Sequence, residues 1–289
     1  MTVVGGVELH TSLRRRGTSR AVSGLLAVSV GVALLPLAAV LAYTISRGAH
    51  ALSISFLTHS MKGVGPLDPG GGVYHAIVGT LEQVAIAAIL SVPLGLLVAI
   101  YVVEYGPSRL AFLVRFFVDV MTGLPSIVAG LFIYAFWVLA LDRGFSGLAA
   151  GLALAVLMLP VVARSSEEML KLVPDELREA TYALGVPRWR AIVSVVLPTA
   201  SAGITTGVML AVARVTGETA PLLLTAFGND AIRFSPFRGP QSGLPLYVFS
   251  QAGSAFDVVV RRAWAGALTL IVIVLLLTVV ARVVTARRR

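Results

Sequence analysis

Long apolar stretches alternate with short polar segments along most of this chain. The hydrocarbon core of a bilayer is about 30 Å thick, and a helix needs about 20 residues to cross it. The stretches that meet this length are 21–46, 76–103, 110–141, 145–163, 191–224 and 263–284. We therefore predict an all-α integral membrane protein with six transmembrane helices, in which residues 1–20 form an N-terminal tail and residues 21–289 one transmembrane domain.

The amino-acid composition fits a chain that lies in a membrane. Hydrophobic residues make up 57% of it and charged residues 13%, whereas soluble domains have about 45–50% and about 25%. No cysteine is present, which excludes disulfides and thiolate ligands. The histidines lack the spacing of metal ligands, so we expect surface or interface positions for them, no metal site and no cofactor; they are His10, His50, His59 and His75.

The distribution of basic residues predicts the orientation. The net charge of +9 is compatible with nucleic-acid binding, but in a membrane protein it more often reflects cytoplasmic loops rich in Arg and Lys. If both termini are cytoplasmic, most basic residues lie inside, and so does the polar segment 164–198. The loops 57–75 and 228–262 then lie outside. The second of them weakens the argument, because it carries four arginines: Arg233, Arg238, Arg261 and Arg262.

The polar segment contains the signals of a short helix that lies outside the membrane. Pro174 suits the first turn, and the acidic Asp175 and Glu176 suit the positive end of the helix dipole. Gly185, followed by Pro187, predicts the end of the helix after about three turns. Helical spacing places small apolar side chains on one face, namely Leu177, Ala180, Ala183 and Leu184. That face suits a partner's groove; the alternative is a helix that lies flat on the membrane.

The spacing of residues in this segment resembles the EAA loop of ABC importer permeases. The matching positions are Glu179, Ala180, Gly185, Leu197 and Pro198, whereas Thr181 and Val195 depart mildly from the pattern. In that family the loop docks into the ATPase subunit. The resemblance therefore implies ATPase coupling through those five residues, a cytoplasmic coupling loop at about 164–198, and the type I (MetI-like) permease architecture.

Further phrases resemble PstA-type permease subunits of bacterial phosphate importers. They are YVVEYG (101–106), GLPSIVAGLF (123–132), LPVVARSSEEMLKLVPDELREA (159–180), ARVTGETAPLLLTA (213–226) and AW (263–264). The first 50 residues show no such resemblance. It implies a subunit in the plasma (inner) membrane that takes inorganic phosphate. Its partners would be a homologous PstC-type permease, a dimeric PstB-type ATPase and a PstS-type phosphate-binding protein.

Charged residues inside a membrane are costly, about 2.5–3.5 kcal/mol each on insertion scales, and so are functional candidates. Arg214 lies about 24 Å along a helix from Pro198, and Glu218 follows one turn later. The small residues Gly203, Gly207 and Ala211 precede them on the same face and suit either an anion path or helix packing. The resemblance favours the path, because phosphate permeases need an arginine at this position for transport.

Other charges lie near the ends of the predicted spans. Arg164 and Glu167 match the family pattern and are further candidates for the substrate path; alternatively, Arg164 is a membrane anchor with helical partners. Arg115 and Asp119, four residues apart, are predicted to pair with each other. The glycines and proline of GLPSIVAG (123–130) predict a break in the third span.

The chain has no Walker A sequence, because neither of its lysines, Lys62 and Lys171, lies in one. We therefore expect a transport subunit that depends on a partner's ATP hydrolysis and is not itself an enzyme. Other interpretations are a permease for molybdate or sulfate, a gradient-driven transporter, and an intramembrane enzyme. A gradient-driven transporter has no need of the helix at 174–185, and an intramembrane enzyme needs a nucleophile beside the charged pairs.

Overall fold

The computed structural model describes residues 13–106 and 108–286. Their regular elements are helices: α1 (Leu13–Gly48), α2 (Ile54–Thr58), α3 (Tyr74–Glu104), α4 (Arg109–Thr122), α5 (Ser126–Ile133), α6 (Gly147–Lys171), α7 (Asp175–Ala183), α8 (Arg188–Ala191), α9 (Leu197–Thr216), α10 (Ala220–Thr225), α11 (Leu244–Ala252) and α12 (Asp257–Ala286). A wider π-helical segment continues α5 (Tyr134–Ala140), and another joins α8 to α9 (Ile192–Val196). The all-α prediction is confirmed.

The number of membrane crossings depends on one bent pair of helices. Among the described residues, five helical segments are long and apolar enough to cross: Gly17–Gly48, Tyr74–Glu104, Gly147–Lys171, Arg188–Thr216 and Asp257–Val280. A sixth crossing is reached if Arg109–Thr122 and Ser126–Ala140, bent by 106°, form one span. The predicted third span is therefore not one straight helix. The predicted break is confirmed, because Pro125 precedes α5 with an extended ψ of 137° and does not continue α4.

The predicted fifth span, 191–224, is wrong at its C-terminal end. Its helix ends at Thr216, with Gly217 as the C-terminal cap, and α10 begins separately at Ala220. Pro221 lies in the first turn of α10, a position that tolerates proline but does not prolong a preceding helix. Hydropathy alone missed this interruption, because the residues on both sides of it are apolar.

The described residues divide into two compact units, one that ends at Arg47 and one that begins at Gly48. Within the first unit, α1 is apolar around its circumference, and its large apolar side chains are exposed. A helix that is apolar all round suits a hydrocarbon environment. Residues 1–12 of the predicted N-terminal tail, with His10, lie outside the described residues.

The core of the second unit lies where α3 and α6 pack side by side, with α9 against α6. Its buried side chains include Val84, Ala87, Leu154, Met158 and Val162. Small residues allow this packing: a Cβ atom on Gly95 of α3 would lie 2.9 Å from Val162 Cγ1 and 3.0 Å from the backbone nitrogen of Ala163. The helix backbones are therefore as close as glycine allows.

The small-residue stripe of α9 packs against α6. A Cβ atom on Gly203 would collide with Met169, and one on Gly207 with Ser165, while Ala211 is fully buried. These contacts support helix packing for the small residues of the stripe, and the predicted substrate path past Arg214 stays a prediction. The close approach joins α9, which carries Arg214, to α6.

Buried polar contacts attach the loop after α10 to the first turns of α3. The Gln83 side chain donates to Gln241 Oε1 at 3.2 Å, and Gln241 in turn donates to the Glu82 carboxylate. The backbone N–H of Leu244 donates to Thr80 Oγ1 at 2.7 Å. Glu82 therefore helps to hold this loop.

Two further residues differ from expectation. His75 is buried in the first turn of α3 and not at a surface or interface, because it packs edge-on against Tyr247. Arg262, placed among the outer-loop arginines, is also buried. Its guanidinium donates to the backbone carbonyls of Gly65 and Asp68, so it holds the loop before α3. Carbonyls outside a regular element need such a donor when they are shielded from water.

Replacement of Gly95 tests the packing of α3 against α6. Gly95→Leu inserts a side chain where none fits, and overpacking of this kind costs about 1–3 kcal/mol. We expect a lower melting temperature for the purified protein in detergent. Gly253→Ala is the matched control, because a Cβ atom there meets nothing within 4 Å and its φ is negative. Equal melting temperatures for the two variants would contradict the close packing.

Candidate functional site

The polar segment after α6 folds as the sequence predicts. Pro174 caps the start of α7, and Asp175 and Glu176 occupy its first turn. The helix ends at Ala183, and Gly185 adopts a left-handed conformation with φ of +72°, which glycine takes at little cost. The short helix and its stop signal are therefore confirmed.

Most of the surface of α7 is exposed. None of its residues is buried, and Glu179 and Ala180 are both exposed. Leu184, at the C-terminal end of α7, is 83% exposed. Trp189, five residues later, is also exposed, and its ring lies beside the Arg190 guanidinium. Exposed large apolar side chains beside charged ones are typical of a docking surface. We call residues 175–190 the coupling surface.

One arginine fastens the coupling surface to the membrane helices. Arg178, on the inner face of α7, pairs with Glu104 at the end of α3, with Nη2 and Nε 3.0 and 3.2 Å from Oε1. The same guanidinium donates to the carbonyls of Leu170 (2.9 Å) and Val173 (2.6 Å), at and just beyond the end of α6. Glu104 is buried and Arg178 nearly so. The ion pair therefore joins α3, the end of α6 and α7.

A second arginine approaches Glu104 from α8. Arg188 donates to the backbone carbonyl of Glu104, and its guanidinium lies 4.9 Å from the centre of the Tyr105 ring. A cavity of about 390 Å³ opens between these groups and is also lined by Lys171 and Tyr182. Sequence reasoning missed Glu104; the available signal was a carboxylate at the end of a long apolar stretch.

The remaining two residues of the EAA-type pattern lie in the helix that follows. Leu197 is half-buried and packs in the cluster that contains Leu170 and Val196. Pro198 is exposed in the first turn of α9, directly after the π-helical segment Ile192–Val196. Proline has no N–H to donate, and a wider helical turn is one way to accommodate it. These two residues shape the return into the membrane and lie outside the coupling surface.

A second ion cluster joins α4 to the C-terminal part of α6. Glu167 is its centre: although only 3% exposed, its carboxylate lies 2.9 Å from Arg115 Nε and Nη2, 2.8 Å from Lys171 Nζ and 3.5 Å from Arg164 Nη1. The predicted pairing of Arg115 with Asp119 is wrong. Arg115 instead reaches across to α6, and Asp119 lies 3.7 Å from Arg164.

The two candidates on α6 therefore differ in access. Arg164 keeps its side chain nearly half exposed, whereas Glu167 is enclosed by cations. In this conformation a solute can approach Arg164 but not the Glu167 carboxylate. Glu167 thus holds the cations of Arg115, Arg164 and Lys171 near one another, and its place in the substrate path stays a prediction.

Arg214 lies in the last turn of α9 with its side chain 60% exposed. Glu218 Oε1 is 3.9 Å from its Nε, within the range of an ion pair but too far for a hydrogen bond. The predicted proximity of Arg214 and Glu218 is therefore confirmed, although the pair is loose. A guanidinium left open in this way can donate to an anion that arrives from outside the chain.

Two helices that each follow a break in the chain, α5 and α10, pack on each other. The second of them begins two residues after Glu218. A Cβ atom on Gly130 of α5 would lie 2.6 Å from Pro221 Cα of α10, so these helices make backbone contact. The phrases GLPSIVAG (123–130) and GETAP (217–221), at least 87 residues apart in the sequence, thus form one structural unit. Non-helical backbone at membrane depth is tolerated where it is packed in protein or lines a cavity.

Comparison with known proteins agrees with this geometry. Residues 91–289 match the family of binding-protein-dependent transport system inner membrane components. The chain belongs to this family. It is 46% identical over 282 residues to the phosphate transport system permease protein PstA 1 of Mycobacterium tuberculosis (strain H37Rv), covering 96% of this chain and 92% of that protein. It is 42% identical over 247 residues to the phosphate transport system permease protein PstA of Yersinia pestis, covering 85% and 82%.

Solved structures show the same fold at lower identity. The MetNI methionine ABC transporter in an inward-facing conformation gives a TM-score of 0.61 at 18% identity, covering 82% of this chain and 99% of that chain. An amino acid ABC transporter gives 0.57 at 18% identity, with coverage of 82% and 100%. The MetI-like architecture is therefore confirmed, and the chain is a multi-pass inner-membrane subunit of a transport system.

Replacement of Glu104 tests the attachment of the coupling surface. Glu104→Gln leaves the Arg178 charge without its buried partner, and breaking such a pair costs about 3 kcal/mol or more. We expect faster hydrogen–deuterium exchange in residues 172–190 while α3 stays protected. Glu176→Gln, on the exposed side of α7, is the matched control and should leave exchange unchanged. Unaltered exchange in Glu104→Gln would contradict the role of this pair.

Proposed function

We propose that this chain is a permease subunit of an ATP-driven importer of inorganic phosphate. The observation that carries the proposal is its 46% identity, over 96% of the chain, to a phosphate transport system permease protein. Such a subunit needs a docking site for the ATPase and a contact for an anion. The exposed coupling surface would supply the first, and the exposed guanidinium of Arg214 the second.

The motor would be a dimeric, PstB-type ATPase on the cytoplasmic side, with both termini of this chain on that side. Leu184 and Trp189 project as apolar anchors, and Glu179 and Ala180 lie on α7, which ends just before Leu184. The movement of the ATPase would pass through Arg178 to Glu104 and so to α3, and through the carbonyls of Leu170 and Val173 to α6. Because the chain has no Walker A sequence, it would supply no hydrolysis of its own.

The substrate would pass Arg214. Phosphate carries one to two negative charges at neutral pH and loses its hydration on leaving water, so it needs a cationic donor along the way. A guanidinium stays charged and offers a planar set of donors, while one weak contact releases the ion again. A homologous PstC-type permease would form the other wall of the path and face the exposed side chain of Arg214. Arg164, with its charge balanced by Glu167, would meet the ion nearer the ATPase.

A PstS-type phosphate-binding protein would deliver the substrate to the opposite end. The loops 57–75 and 228–262 lie there, because α3 begins next to them and ends at the coupling surface about 45 Å away. Both loops are held in place, the first by Arg262 and the second by Gln83 and Thr80. A rigid, pre-formed docking surface avoids the entropy cost of ordering on binding.

A permease for another oxyanion, such as sulfate or molybdate, is the alternative. An arginine contact alone suits all three ions. Phosphate is favoured because the chain is similar to phosphate transport system permease proteins. Uptake by the reconstituted system with each labelled ion distinguishes them.

Replacement of Arg214 tests the substrate path. Arg214→Gln removes the charge but keeps a hydrogen-bonding side chain of similar reach, so we expect labelled phosphate uptake to fall at least about 100-fold, as for loss of a desolvated cationic contact. The complex should still assemble with its ATPase. Arg143→Gln, another exposed arginine, serves as control. Normal uptake by Arg214→Gln would refute the assignment.

Single cysteines test the coupling surface and the orientation together, because the chain has none of its own. Glu179→Cys should crosslink to the ATPase and resist a membrane-impermeant maleimide added to intact cells. Lys62→Cys, in the loop before α3, should show the reverse behaviour. Labelling of Glu179→Cys from outside would contradict both the orientation and the coupling role.

A further inference from the structure

A second site lies at the opposite end of the bundle from the coupling surface. A cavity of about 290 Å³ opens between the loop that follows α10 and the helix α11. Its walls include Phe227, Asn229, Asp230, Ser242, Tyr247 and Gln251. None of these residues belongs to the coupling surface or to the path past Arg214.

The charge of this pocket excludes an anion as its occupant. Asp230 is the charged group among the lining residues, and its side chain is 67% exposed. The other polar lining groups are hydroxyls and amides, which can all accept hydrogen bonds. Arg262 lies close enough to Tyr247 to affect it electrostatically, but its guanidinium is engaged by the carbonyls of Gly65 and Asp68. Phosphate would thus meet a carboxylate and no available cation.

Two buried polar side chains beside the pocket lack partners. His75 and Tyr247 are each 2% exposed, and neither the ring nitrogens nor the phenolic oxygen forms a hydrogen bond within residues 13–106 and 108–286. His75 Nε2 lies 3.9 Å from Asp230 Oδ1, beyond hydrogen-bonding distance. Buried polar groups without partners are rare, because each costs about 1–3 kcal/mol. Their position beside one acidic pocket suits a site that receives a polar group from outside the chain.

The backbone at the rim is held in an unusual conformation. Phe227 has φ of +64°, a left-handed geometry that bulky residues seldom adopt. Its ring stacks on Phe145 at 4.6 Å and yet remains largely exposed. Strained residues of this kind cluster at ligand-binding sites. Here the strain presents an aromatic ring beside a carboxylate, an arrangement that suits a cation.

We propose that this pocket receives an arginine or lysine side chain of the solute-binding protein, which pairs with Asp230 and packs on the Phe227 ring. This inference rests on the proposed function, which places that protein at this end of the molecule. Phe234 and Phe237 of the same loop are also exposed, and an interface commonly surrounds a buried charged anchor with such apolar contacts. The pocket thus positions the docked protein and takes no part in phosphate binding.

The test uses the complete complex of both permeases and the ATPase in nanodiscs, titrated with phosphate-loaded binding protein. Asp230→Asn should weaken binding of that protein about tenfold or more, as for removal of one partner of a desolvated charge pair. Basal ATP hydrolysis and the maximal rate at saturating binding protein should be unchanged, since Asp230 is exposed. Asp142→Asn is the control: Asp142 is another exposed carboxylate, and asparagine tolerates the positive φ of that position. Free arginine should compete with the binding protein on the unsubstituted complex but not on Asp230→Asn.

The outcomes separate the two proposals. If the unsubstituted complex does not respond to the binding protein, the proposed function fails and this inference fails with it. If it responds, and Asp230→Asn binds as tightly as Asp142→Asn, only this inference is overturned. A loss of basal hydrolysis or of assembly in Asp230→Asn would assign Asp230 to folding and would also overturn it.

Discussion

Arg178 and Glu104 form their ion pair where water has little access, and the pair joins parts of the chain that are far apart in sequence. The Arg178 guanidinium also donates hydrogen bonds to two backbone carbonyls near the end of α6. Its hydrogen bonds, including those to Glu104, are therefore charge-assisted. A buried pair is not in itself strong evidence of stability, because desolvation offsets much of the attraction. The pair does fix the position of α7 relative to α3, since loss of either partner leaves the other charge uncompensated. For a short helix with no buried residue, this ion pair is a direct attachment to α3.

Helix α3 connects this ion pair to the opposite end of the bundle. The helix that ends at Glu104 begins beside His75, and its first turns hold the loop that contains Asp230. The close packing of α3, α6 and α9 through glycines leaves little freedom for these helices to slide independently. A displacement of the coupling surface is therefore expected to move α3 and α6 together, and with them the helix that presents Arg214. The ion cluster around Glu167 adds α4 to the same group.

Sequence reasoning was most successful where the signal is local. The short helix α7 was predictable because Pro174, the acidic first turn and Gly185 are all within a dozen residues, and the loose pair of Arg214 and Glu218 because it follows helical spacing. It failed where pairing depends on tertiary structure. Arg115 prefers Glu167 to its neighbour Asp119 because α4 packs across α6, and no periodicity within one helix can report this. Likewise, the burial of His75 depends on its packing against Tyr247. The end of α9 at Thr216 was missed for another reason, because hydropathy averages over the Gly217 cap and Pro221.

The most direct test of the central claim is a distance measurement in the assembled complex during ATP hydrolysis. Spin labels at Leu97→Cys, on the exposed side of α3, and Leu184→Cys, at the coupling surface, report the geometry across the Arg178–Glu104 pair. If the ion pair couples α7 to α3, one narrow distance distribution is expected, the same without nucleotide, with ATP and in the vanadate-trapped state. A distribution that shifts or splits between these states would show that α7 moves independently of α3, and would contradict this coupling.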